Sequence, residues 1–254
     1  MNPEVLVASF DAGWVALSFV ISVIGSYTAL WVAPSVAGPH SGQVNWFNAA
    51  LSGLALGGVG IWSMHFLGML AYEVPLAVGY RLFELVVSLV AAVVVSALAI
   101  GYMSARAFAW QRLLVAGPLA GLGVAVMHYL GMFGMRFGGF FDWNLPVVLL
   151  SVLIAVVAAS AALWLAFHTR SASKRAGAAL VMGAAVCSMH YTGMAAASVV
   201  CTTENRGALL PGLLRAGDLG LAIAVVAIGI ALMVATDVAI QRWNAASGGG
   251  AAKA

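Results

Sequence analysis

The sequence predicts an all-α, polytopic membrane protein: seven transmembrane helices, built as three two-helix repeats plus one extra helix, with the N-terminus outside. Three observations predict it. Hydrophobic residues make up 63% of the 254 and charged residues 7%, against roughly 45–50% and about 25% in a soluble domain, and so little charge cannot cover a water-facing surface. The apolar residues fall in blocks of about 20, the length a helix needs to cross about 30 Å of hydrocarbon. A Met-His-(Tyr or Phe)-x-Gly-Met sequence occurs three times.

The spans are read as Trp14–Val32, Trp46–Leu70, Leu82–Met103, Leu113–Phe133, Leu145–Phe167, Ala176–Ala197 and Leu219–Thr236, divided by segments rich in Gly, Pro, Asn and charge. Helices close their hydrogen bonds within each segment, and a barrel would instead show short alternating strands. The first span is kept as structure, because Glu4 and Asp11 precede it where a signal peptide carries positive charge. Residues 1–240 form the membrane domain in this reading, and 241–254, ending in a Ser-Gly-Gly-Gly run, form a flexible cytoplasmic tail.

Charge sets the orientation. Arg106, Arg112, Arg170, Lys174, Arg175, Arg242 and Lys253 lie on one side. Arg81, Arg136, Arg206 and Arg215 lie on the other, interspersed with Glu4, Asp11, Glu73, Glu84, Asp142, Glu204 and Asp218. By the positive-inside tendency the first side is cytoplasmic. A net charge of +3 and a pI near 9.1 suggest no nucleic-acid partner, because the basic residues are scattered among apolar spans.

The even spans repeat one another, as Gly58 to Met69, Gly121 to Met132 and Gly183 to Met194, with the motif histidines 63 and 62 residues apart. The odd spans match more faintly, at Ala29-Leu30-Trp31, Ala99-Ile100-Gly101 and Ala162-Leu163-Trp164. A two-helix unit returns the chain to its starting side, so all three motifs lie at one depth, toward the outer face. Gly53-x3-Gly57 and Gly117-x3-Gly121 would let helix backbones approach closely.

On a helix, residues four apart point within about 40° of each other, which pairs His65 with Met69, His128 with Met132 and His190 with Met194. The preceding Met64, Met127 and Met189 are turned about 100° away. One intramembrane histidine is as easily a packed core residue as a ligand, and an apolar-face methionine more often packs than ligates. Packing alone, however, does not require both at the same offset three times. Thioethers select Cu(I) and imidazole suits copper in either state, so copper is the favoured ion at a site of these nine residues. Non-covalent haem with a His/His or His/Met pair is the competing cofactor.

At these residues the chain resembles the MHYT-domain family of bacterial integral membrane proteins, named for the tetrapeptide intact here as Met189-His190-Tyr191-Thr192. The other copies read Met64-His65-Phe66-Leu67 and Met127-His128-Tyr129-Leu130, and Gly25 to Leu30 of the first span belongs to the match, which covers about residues 10 to 240. The resemblance implies a seven-helix sensor module in the cytoplasmic (inner) membrane that binds copper through the motif and senses oxygen, carbon monoxide or nitric oxide; the His/Met face itself adds redox state as a candidate signal. Family members are often fused to domains that make or degrade cyclic di-GMP. Here a separate cytoplasmic signalling partner is expected in their place, and the chain itself is expected not to be an enzyme. A copper carrier or permease is the alternative function, and a membrane oxidase ranks below it.

Other residues carry blander expectations. Glu84 is expected at an interface beside Arg81, Arg136 at a lipid headgroup, His40 and His168 in exposed loops, and Trp14, Trp46 and Trp143 as interfacial anchors. Cys187, three before His190, is a minor candidate thiolate ligand, and Met135 is expected to pack.

Overall fold

A computed structural model describes residues 4–38, 42–169, 171–202 and 212–248. Seven helices among them are long and apolar enough to cross a membrane: Ala12–Ser35, Trp46–Ala71, Leu82–Ser104, Trp110–Gly134, Leu145–His168, Ala172–Ala195 and Ala216–Val234, called spans 1 to 7. The chain is therefore an all-α, multi-pass membrane protein, as its composition predicts. His40, Arg170, Glu204, Arg206 and Lys253 fall outside the described residues.

Side-chain caps set several helix starts. Asp11, Asn45, Asn144 and Ser171 each accept the backbone N–H three residues on, at 2.8, 3.1, 3.3 and 3.4 Å, replacing a partner that the first helical turn lacks. The Ser171 cap starts span 6 at Ala172 rather than the expected Ala176, adding a polar first turn with Lys174 and Arg175 that an apolar block cannot reveal. At the other end, the last helix runs Ala216–Gly248, through most of the segment expected as a tail.

Spans 1 to 6 form a closed ring in which each packs on the next and span 6 returns to span 1; span 7 lies against span 2. Burial follows from that layout. Span 2 is 83% buried because span 7 covers the face it would otherwise show to lipid, whereas spans 5 and 7 are only 22% buried. Small residues permit the closeness of the ring. A Cβ on Gly25 would strike the backbone of Gly60, and one on Gly57 or Gly121 the backbone of Ala92 or Val156. The two Gly-x3-Gly pairs thus allow the close approach expected of them, and they do so against spans 3 and 5.

Span 2 is also irregular. Between helical Trp46–Gly53 and Met64–Ala71, residues Leu54–Ser63 wind as a π-helix. That stretch contains Gly57, Gly58 and Gly60 and delivers the chain directly into the first motif, and such π segments frequently mark functional positions.

The motif side carries short strands that the sequence analysis read as plain connections. They are β1 (Glu4–Leu6), β2 (Ser9–Phe10), β3 (Tyr72–Glu73), β4 (Gly79–Tyr80), β5 (Met135–Arg136), β6 (Gly139–Trp143) and β7 (Ala197–Cys201). Pairing is antiparallel and repeats three times: β2 with β3, β4 with β5, and β6 with β7, while β1 takes the far edge of β7. Each two-helix unit is thereby closed by a strand before its first helix and a strand after its second. Phe10, Tyr80 and Trp143 occupy equivalent places, opposite Tyr72, Met135 and Ala197. Trp143 is accordingly a packed residue, its ring 5.5 Å from that of Tyr129, rather than a free interfacial anchor.

Candidate metal centre

Each even span ends with its motif turned into the ring, and the three histidines meet on its axis. His65, His128 and His190 are buried, with Nδ1–Nδ1 distances of 3.0 Å (His65–His190), 3.1 Å (His128–His65) and 3.3 Å (His190–His128). Their rings stand edge to face, with centroids 4.9–5.2 Å apart.

This triangle cannot satisfy itself. A neutral imidazole Nδ1 is either a donor or an acceptor, so among three that face one another at least one pair confronts like with like. The Nε2 atoms are also buried, and those of His65 and His128 have no hydrogen-bond partner. A cation that accepts three Nδ1 lone pairs removes the conflict. Tetrahedral ligand nitrogens at about 2.0–2.1 Å from a metal lie about 3.3–3.4 Å apart, within a few tenths of an ångström of the distances here. The donor set therefore fits a metal ion, and the three imidazoles are the residues that could hold it.

The motif glycine, quoted in the sequence analysis but given no role, forms the socket. A Cβ on Gly131 would collide with the ring of His65, one on Gly193 with His128, and one on Gly68 with His190. Each repeat hands its imidazole to the glycine of the next, and the third hands back to the first. Only a residue without Cβ lets a ring approach a helix backbone this closely.

A second triplet was also missed. Ser18, Ser88 and Ser151, each buried, sit at the same turn of spans 1, 3 and 5. Ser18 and Tyr191 share a hydrogen bond of 2.9 Å between hydroxyls, and Ser151 and Tyr129 one of 2.5 Å. In the first motif Phe66 has no hydroxyl, and Trp62 Nε1–H donates to Ser88 instead, at 3.1 Å. Three serines at matched offsets were the available signal. It was obscured because the connection between spans 1 and 2 is longer than its counterparts, which shifts the odd-span period.

All six motif methionines are buried. Met69, Met127, Met132 and Met194 share one apolar cluster with Phe66, while Met189 packs with Ala125 and Ala155. Met132 lines a cleft with Arg136 and Trp143, and Met69 an equivalent one with Tyr72 and Tyr80, both among the strands. The Cys187 thiol turns to Ser18, and the cluster of candidate ligands contains the three histidines without it.

Neighbouring charges are paired. Glu84, buried, receives Arg81 at 2.9 Å and Arg136 at 3.3 Å, so Arg136 serves an ion pair rather than the expected headgroup. His168 is not in a loop: it ends span 5, its ring stacked on Trp164 at 4.6 Å. Burial raises the phenol of Tyr80, among the strands beside the motif, above its ordinary range.

A threefold helical repeat that gathers one polar cluster inside an apolar ring defines a class of integral membrane protein in which no single repeat owns the site. The particular family follows from comparison: the MHYT model, described as "Bacterial signalling protein N terminal repeat", matches residues 58–116, 121–179 and 183–248, and the chain belongs to that family. It is 40% identical over 242 residues to the bifunctional diguanylate cyclase/cyclic di-GMP phosphodiesterase MucR of Pseudomonas aeruginosa, covering 90% of this chain and 34% of MucR. It is 36% identical to the cyclic di-GMP phosphodiesterase NbdA of the same organism (74% of this chain, 24% of NbdA) and 30% identical to the signalling protein YkoW of Bacillus subtilis (75% and 24%). The chain thus spans about a third of MucR and about a quarter of the others. No solved structure matches.

Proposed function

We propose that this protein is a metal-dependent sensor in the bacterial cytoplasmic membrane, N-terminus outside, with residues 1–240 as the sensing domain and the remainder a cytoplasmic tail. Copper at the three imidazoles is read by oxygen, carbon monoxide, nitric oxide or redox change. The Nδ1 triangle of 3.0–3.3 Å carries the reading. Copper is favoured because thioethers recur beside all three imidazoles while the one nearby thiol, Cys187, turns to Ser18, with Met69, Met132 and Met194 as candidate additional ligands and Met64, Met127 and Met189 beside them. When bound, copper supplies open coordination positions and a one-electron couple. The chain's own residues hold three imidazoles together, keep water from them and tie them to the helix ring.

The output follows the relatives' names. MucR and NbdA are named for cyclic di-GMP chemistry. We assign to this chain the sensing step, its signal reaching a cytoplasmic partner through the helices that carry the histidines.

Two rival readings fit the geometry less well. A haem ligated by two of these histidines would need a macrocycle between opposed nitrogens, and atoms 3.0–3.3 Å apart leave no such slot. A copper carrier would need a ladder of ligands toward the opposite side, where the ring encloses apolar space whose lining offers the thioethers of Met182 and Met189 but no imidazole, thiol or carboxylate.

The test is metal analysis of protein purified from copper-replete cells. Stoichiometric copper is expected, with the content lost in His128→Ala; a metal-free preparation that still responds to gas would refute the reading, and a Soret band would favour haem.

A further inference from the structure

Inside the helix ring, on the side of the histidines away from the strands, lies a cavity of about 60 Å³. Its roof includes Ile61, Val124 and Val186, each four residues before a motif histidine and so about one helical turn beneath it. Its far end includes Ala29, Ala99 and Ala162, with Leu30, Ile100 and Leu163 beside them. Those six are the Ala-Leu and Ala-Ile pairs that recur in the odd spans. Three tiers of repeat-equivalent residues place the cavity on the pseudo-threefold axis. A chance packing fault would not recruit the same position from every repeat.

We infer that this axial cavity is a binding site for a small uncharged apolar molecule of diatomic size, which it admits from the lipid and holds one turn from the histidines. Volume decides the class of guest. The cavity is several times the roughly 10–15 Å³ that one water centre requires, but far below the roughly 300–1,000 Å³ of pockets for drug-sized ligands. It excludes haem, quinones and acyl chains, and accepts a gas.

Polarity decides between water and gas. The lining is overwhelmingly apolar, with Ser96 its only side-chain hydroxyl, and apolar cavities stay dry and take up xenon-like guests. Access is through span 5, whose wall of small residues includes half-buried Ala158 and Ala159 and which is itself only 22% buried against the rest of the chain. Delivery of the guest to a metal rests on the proposed function; occupancy of the cavity does not.

Two measurements separate those claims. Crystals of the full chain pressurised with xenon, with or without metal, should show xenon on the axis between Val124 and Ala162. Ala162→Leu should abolish that peak, and Leu163→Ala, which adds space, should retain or strengthen it. Melting temperature and helical circular dichroism confirm that both variants fold. No xenon in the cavity of the native chain, or an undiminished peak in a folded Ala162→Leu protein, overturns the site.

For delivery, carbon monoxide association is followed by stopped flow on metal-loaded protein. Ala162→Leu should slow it about tenfold with copper content unchanged. An unaltered rate overturns delivery. Absence of copper from the native protein instead overturns the metal reading, leaving the xenon result to stand for the cavity.

Discussion

Three glycines and three serines shape the site as much as its histidines do. Gly68, Gly131 and Gly193 admit the rings of His190, His65 and His128, so Gly131→Ala should displace His65. The expected result is at least a tenfold loss of copper affinity in a competition titration, within the about 10–100-fold range for residues that orient metal ligands, with helical content preserved. Ser151→Ala leaves the Tyr129 hydroxyl without its partner, a loss of about 1–3 kcal/mol; the melting temperature should fall and copper stoichiometry should not. The histidines were legible in the sequence because their motif recurs within one span type. The sockets were not, because each joins a glycine of one repeat to a histidine of another, and nothing in linear order marks that cyclic shift.

At the scale of elements, helix length and apolarity made the spans readable to within a few residues. What escaped were the strands, two to five residues long, too short for alternation to declare itself and paired across whole helical hairpins. Pairing of β4 with β5 is reinforced by Glu84, at the start of span 3, which draws Arg136 of β5 and Arg81 together. Removing one partner of a buried carboxylate is costly. Arg136→Ala should therefore lower stability more than Arg81→Ala, since the Arg136 side chain is 35% exposed and that of Arg81 51%; chemical denaturation of the two variants in the same detergent makes the comparison. Span 2 is a further surprise. Its π-helical stretch follows from three glycines under the pressure of spans 1, 3 and 7, a tertiary cause that hydropathy does not register.

For the whole molecule, the ring and the triad are one structure. The three imidazoles come from all three repeats, so an ion bound to them ties spans 2, 4 and 6 in the folded state alone. Chelation should lower the melting temperature, and copper at about a thousandfold excess over its Kd should restore about 4 kcal/mol. His190→Ala should abolish that copper-dependent shift while leaving the metal-free melting temperature close to the native value. The overall plan was legible because triplication left a period of 63 and 62 residues between histidines. The place of span 7 was not, because nothing in its own residues names span 2 as its neighbour.

The backward step from His190 to Gly68 also has a consequence for biogenesis. A nascent chain inserted in order from its first residue displays two imidazoles whose enclosure is unfinished until the sixth span has entered the bilayer and swung back against the first. A site made of all three rings therefore exists only once the sixth span has entered, and a product cut short before it keeps only the His65–His128 edge of the Nδ1 triangle.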